Sequence, residues 1–100
     1  MYNIDDNILK SIIRTFEKYS NIKKVILFGS RVKKTSKKYS DIDLAIVGNF
    51  DILFTELIKE ELENNIPTLL KFDCIDYNRI ENQNLKEEID KHGKIIYSLN

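Results

Sequence analysis

The segment Asp41-Ile42-Asp43-Leu44-Ala45-Ile46-Val47 constrains this chain more than any other. Its larger aliphatic residues recur at every second position, which is the period of a β-strand, and β-branched side chains suit a pleated, buried surface. On a strand, residues i and i+2 share a face, about 7 Å apart along the chain. Ile42, Leu44 and Ile46 therefore make one face, which must be core, and Asp41 and Asp43 project together from the other. Two like charges held so close repel and cost stability unless a cation lies between them. The plain alternative is a solvated pair of aspartates at a strand start, and three further features argue against it.

The remaining chain alternates helix and strand. Residues 4–19 carry Ile4, Ile8, Ile12 or Ile13, and Phe16 at three-to-four spacing, which predicts an amphipathic helix. Asp5 and Asp6 fall in its first turn, where negative charge suits the helix dipole. Residues 23–28, KKVILF, read as a short buried strand and 41–47 as a second. Residues 51–65 read as a helix with Leu53, Leu57, Ile58 and Leu62 on one stripe, and Pro67 separates it from a third strand at 68–76. Residues 82–93 predict a last helix with Gly93 as C-cap, and KIIYSL, from Lys94, a short fourth strand. With a short helix after Ser30, the order predicts an α/β or α+β fold in which a mixed sheet of three to four strands is flanked by helices, as one domain over 1–100.

Composition narrows the function. Lysine plus arginine and aspartate plus glutamate number 16 each, so the formal net charge is zero. A balanced chain is no general polyanion binder, which argues against direct nucleic-acid binding and requires any phosphate affinity to come from local clustering. The single cysteine, Cys74, excludes an internal disulfide and fits a reducing cytoplasm. No apolar run approaches the ~20 residues of a membrane span and no signal-peptide pattern opens the chain, so the expected location is cytoplasmic, away from membranes.

The clustering occurs in residues 29–48. Gly29-Ser30 follows the first strand directly, a place where free backbone N–H groups can meet an anion. Gly29 permits close backbone approach, and Ser30 can hydrogen-bond a phosphate oxygen. Arg31, Lys33, Lys34, Lys37 and Lys38 then make a basic loop. Most of these lysines read as solvated, but Arg31 adjoins the Gly-Ser pair and carries a guanidinium suited to bidentate phosphate contact. The third feature is another carboxylate on the strand at 68–76, either Asp73 or Asp76. Parity separates them. Asp76 shares a face with Leu70, Phe72 and Cys74 and reads as a turn residue leaving the strand. Asp73 shares the more polar face with Lys71, although Leu69 and Ile75 lie there too, and completes a triangle with Asp41 and Asp43 if the two strands are neighbours. Three convergent carboxylates suit Mg²⁺, and two such ions about 4 Å apart would clamp an in-line phosphoryl transfer.

Gly29-Ser30-Arg31, Ser40-Asp41-Ile42-Asp43-Leu44 and the later Asp73 together resemble the signature of the DNA polymerase β-type nucleotidyltransferase superfamily, in its minimal (MNT) branch. The resemblance is clearest over 23–80, and the combination is far more specific than its parts. Lys34 departs from it, because many members carry a glycine there. The resemblance implies a polymerase β palm-like core that transfers AMP from ATP to a hydroxyl. It implies that Asp41 and Asp43 hold two Mg²⁺ ions, that Asp73 holds the catalytic one and helps deprotonate the acceptor, and that Gly29 and Ser30 hold the β,γ-phosphates, with Ser40 and Arg31 in support. It also implies a helical HEPN-type ribonuclease toxin as partner in a hetero-oligomer, neutralised by adenylylation of a tyrosine. A non-catalytic antitoxin that occludes its HEPN partner is the alternative. Transfer to a small molecule such as an aminoglycoside is disfavoured, because these 100 residues leave no room for an acceptor-gripping domain. Elsewhere, Glu56, Glu60, Glu61 and Glu63 make the third helix acidic, a solvated face or a surface for a basic partner. Tyr2, Tyr19, Tyr39, Tyr77 and Tyr97 read mainly as packing residues, Cys74 as a small apolar group, and His92 carries no assigned chemistry.

Overall fold

The computed structural model describes residues 4–33 and 40–99. Strands β1 (Ile22–Phe28), β2 (Ile42–Gly48), β3 (Phe72–Asp76) and β4 (Lys94–Ser98) form one mixed sheet in the order β3-β2-β1-β4. β1 pairs antiparallel with both β2 and β4, whereas β2 and β3 run parallel. Helices cover both faces. α1 (Asp6–Glu17) and α3 (Phe54–Asn65) bring Ile12, Phe16, Ile58 and Leu62 onto Val25, Leu27, Ile42 and Leu44. On the opposite face α4 (Gln83–His92) packs Ile89 against Ile26, Phe28 and Ala45. A short helix, α2 (Ser30–Lys33), follows β1. This is the expected α+β arrangement.

Helix and strand ends differ from the sequence reading for local reasons. Asp5 lies just before α1 as its N-cap, its carboxylate accepting from the backbone N–H groups of Asn7 and Ile8. Asp51 likewise accepts from the N–H of Leu53 and makes a turn, so α3 starts at Phe54 and not at 51. The third strand begins at Phe72 and not at 68. The Thr68 hydroxyl accepts from the Leu70 N–H and bends the chain, and the Phe72 N–H donates to the Glu63 carboxylate at 2.9 Å. Gly93 ends α4 as expected, but with an ordinary φ of −64°. Its lack of a side chain is needed for close packing, since a Cβ there would lie 2.5 Å from Ile26 Cγ2.

The apolar stripe of α3 is also corrected. Of Leu53, Leu57, Ile58 and Leu62, only Ile58 and Leu62 are buried, while Leu53 and Leu57 are each 64% exposed. The inward row is Phe54, Ile58, Leu62 and Ile66, a strict i, i+4 series, and Leu57 sits one position off it. Two of the four glutamates on this helix are engaged within the fold. Glu61 accepts from the Tyr19 hydroxyl and from Lys18, and Glu63 caps the start of β3. Tyr97 stacks on Phe16, and Tyr77 donates to Asp90 at 2.5 Å, in keeping with packing roles; Tyr2 and Tyr39 lie outside the described residues. No described helix is long and apolar enough to cross a membrane.

These placements predict that Leu62→Ala lowers stability by about 2–5 kcal/mol, because it leaves a cavity against the sheet. Leu57→Ala, on the exposed side, changes stability by about 0.5 kcal/mol or less. Urea denaturation of both variants would check this, and equal losses would show that the helix is rotated from the position described.

Candidate active site

β2 carries the site because both its neighbours bring a contributing residue beside Asp43. The parallel register sets Ile42 opposite Phe72, Asp43 opposite Asp73 and Leu44 opposite Cys74. Paired residues on adjacent strands point the same way, about 4.8 Å apart across the sheet. Asp43 and Asp73 therefore leave the sheet side by side on one face. Asp41 is exposed just before the first residue of β2. Asp76 takes a different course, accepting from the Asn78 N–H at 3.0 Å and pairing with Arg79 at 2.9 Å, so it serves as the turn residue that parity indicates.

On the other side of β2, Phe28 pairs with Asp43, which puts Gly29 at the carboxylate. Gly29 has φ +81°, a conformation that side chains rarely adopt, and a Cβ there would stand 2.3 Å from Asp43 Oδ2. The bare Cα thus makes room for Asp43, a need that the sequence reading assigned to phosphate approach. Ser30 follows as the first residue of α2, half-buried, and the Gly29 carbonyl accepts from the N–H groups of Val32 and Lys33, each at 3.2 Å. α2 is tethered to α4 by Lys33 and Glu88, 2.6 Å apart. Glu88 is not singled out by the sequence reading, since its partner Lys33 lies 55 positions away, and Glu63 is read there only as part of an acidic helix face and not as a tie to β3.

Arg31 does not lie open beside Gly29-Ser30. It is 5% exposed, and its Nε and Nη2 donate to the Ser40 carbonyl at 3.2 and 2.7 Å. Lys34, Lys37 and Lys38 lie outside the described residues.

The electrostatics of the site follow from crowding. Burial raises the Asp43 carboxyl most, Asp73 and then Asp41 raise it further, and Arg31 opposes them, leaving it at about 6. Cys74, on the opposite side of β3 from Asp73, is buried and its thiol is pushed up to about 12, mainly by burial. Among the described residues no three His, Cys, Asp or Glu side chains form a ready metal cluster. The aspartate triangle expected from the sequence is therefore not a preassembled cage. The donor set still fits Mg²⁺, a hard cation commonly held by one or two carboxylates together with water and substrate phosphates. A cation would also relieve the like-charge repulsion that adds to burial in lifting Asp43.

A family model described as polymerase beta, nucleotidyltransferase matches residues 10–100. The chain is 39% identical over 77 residues to MJ1217 of Methanocaldococcus jannaschii, a protein provisionally named a protein adenylyltransferase, with 75% of this chain and 76% of that one covered. Its fold is similar to a chain in the crystal structure of a toxin–antitoxin with AMP-PNP, with a TM-score of 0.73 and 19% identity over 97% of this chain and 76% of that one. It is also similar to a chain in the complex of a tri-AMPylated Shewanella oneidensis HEPN toxin with MNT antitoxin, with a TM-score of 0.72 and 17% identity over 96% and 74%.

Asp43 yields a pH prediction. Its folded carboxyl titrates at about 6 against an ordinary 3.8, so between those values the folded state binds more protons than the unfolded one. Stability then falls as pH rises through that window. Asp43→Asn is expected to be more stable than wild type at pH 7 by about 1–2 kcal/mol, with the gain vanishing below the lower value. Denaturant melts at pH 3.5 to 7 would check this, and equal stability at pH 7 would refute the crowding.

Proposed function

The chain belongs to the family of DNA polymerase β-type nucleotidyltransferases, and from that premise we propose that it moves AMP from ATP to a tyrosine hydroxyl of a helical HEPN-type toxin, which it thereby restrains as antitoxin. The observation that carries this reading is the register pairing of Asp43 with Asp73 beside the Gly29 turn. It puts two carboxylates together at the end of a strand, with Asp41 two residues away, where a nucleotide's phosphates can meet them.

In such a transfer the acceptor oxygen bonds to the α-phosphorus, the bond to the β-phosphate oxygen breaks, and pyrophosphate leaves. Asp73 is exposed and is suited to take the proton of the incoming hydroxyl. The Gly29-Ser30 turn is suited to the β,γ-phosphates, through backbone N–H groups and the Ser30 hydroxyl. Two Mg²⁺ ions, held by Asp41, Asp43 and Asp73 with the phosphates, would neutralise the charge that develops on the transferred group. Asp43, with its carboxyl at about 6, is mostly ionised at neutral pH and so able to serve as a ligand.

The acceptor class draws support from two relatives. The archaeal relative's name points to a protein acceptor. The shared fold with a chain from a complex whose HEPN toxin carries AMP points to an acceptor of that type. A protein partner docked beside the nucleotide also presents its hydroxyl at a high effective concentration.

Incubated with Mg²⁺, ATP and its helical partner, the chain is expected to raise the partner's intact mass by whole AMP units, at tyrosine. Asp41→Asn/Asp43→Asn is expected to add none. Should that variant restrain the toxin in cells as well as wild type, with no mass gained in either case, the partner is blocked by occlusion and the transfer reading fails. A further comparison separates the strand positions. Asp73→Asn is expected to abolish transfer with the fold intact, and Asp76→Asn, at the turn, to retain most of it; the reverse order would remove Asp73 from the site.

A further inference from the structure

Among the described residues, Arg31 is the charged side chain that is buried. At 5% exposure a guanidinium has lost most of its hydration, so its donors must meet acceptors inside the protein. Two of its nitrogens converge on one oxygen, the Ser40 carbonyl, at 3.2 and 2.7 Å. Ser40 directly precedes Asp41, and Arg31 lies two residues after Gly29. One side chain thus ties the start of α2 to the start of β2, across the ends of the connection between them. A planar fork can hold one oxygen with two N–H groups, a geometry that the ammonium of lysine does not reproduce.

We infer that Arg31 is a positioning residue, which clamps the Ser40 carbonyl and so sets Asp41 and Asp43 for transfer, instead of contacting the nucleotide's phosphates as its place beside Gly29-Ser30 suggests. The inference rests on nucleotidyl transfer at the aspartates and not on which protein accepts the AMP. The clamp acts on the backbone from which Asp41 projects, and Asp41 lies outside the regular pairing of β2. Strand hydrogen bonds alone therefore do not hold it.

The test compares the full chain with Arg31→Met and Arg31→Lys, by AMP transfer to the HEPN-type partner and by amide hydrogen exchange. Arg31→Met is expected to lower kcat by about 10²-fold, as small displacements of reacting groups do, with KM for ATP within about threefold of wild type. Arg31→Lys keeps the charge but loses the fork, and is expected to recover little of that loss. Exchange of the amides of residues 40–43 is expected to rise several-fold in Arg31→Met, while β1 keeps its protection. If Arg31→Met does not fold, Arg31→Lys carries both comparisons. A raised KM for ATP with kcat retained would assign the guanidinium to phosphate and overturn the clamp, and full activity in Arg31→Lys would overturn it by showing that the fork is not needed. Unchanged exchange at 40–43 would overturn it as well. The exchange measurement needs no acceptor, so a wild type that transfers nothing would count against the proposed function while exchange still decides the clamp.

Discussion

Burial of Ile42, Leu44 and Ile46 against α1 and α3 is the interaction on which the rest of the molecule depends. All three are fully buried. Each such side chain contributes about 1.5–3 kcal/mol when taken from water. A slip of one residue in the pairing of β2 would turn all three outward and bring aspartates inward. Buried carboxylates without partners are costly, so the slip is opposed twice. The register is therefore strongly held, and it places Asp43 between Phe28 on one side and Asp73 on the other.

The face of β2 that carries Asp43 changes character along its length. Ala45 follows on that face and is buried beneath Ile89 of α4. The helix covers one end of the sheet face and leaves the aspartates beyond it. Crowding there runs against stability. Burial and like charges lift the Asp43 carboxyl, and a glycine with positive φ is needed to admit its oxygen. A site strained in this way is suited to a cation or a phosphate–cation pair, which removes the repulsion on binding.

Polar ties hold the surrounding elements at fixed angles. Glu61 joins α3 to the end of α1 through Tyr19 and Lys18, Glu63 joins α3 to the first residue of β3, and Lys33 with Glu88 joins α2 to α4. Exposed ion pairs contribute about 0–1 kcal/mol each, so their effect is on orientation more than on stability. The Glu63 contact differs from the others because it occupies a backbone N–H at the start of an edge strand, where the next residue is Asp73. The position of Asp73 in the candidate site thus depends in part on α3.

Several parts of this arrangement were legible from residue order alone. The alternation in 41–47 separated core from carboxylates, and parity chose Asp73 over Asp76, because the two-residue period of a strand is a local property of the backbone. The spacing in 4–19 likewise revealed α1, and the Gly-Ser turn after KKVILF marked the end of β1. What remained hidden involves groups that meet only in space. Leu57 was indistinguishable from a core residue until α3 settled on the sheet through Phe54, Ile58, Leu62 and Ile66. The demand on Gly29 comes from an oxygen of Asp43, fourteen positions away. Arg31 looked like a phosphate ligand by its neighbours in the chain, yet folding turns it inward onto a backbone carbonyl. Periodicity acts within one element and can be read there. Contacts between elements depend on which faces pack and at what register, and only the assembled sheet and helices set those.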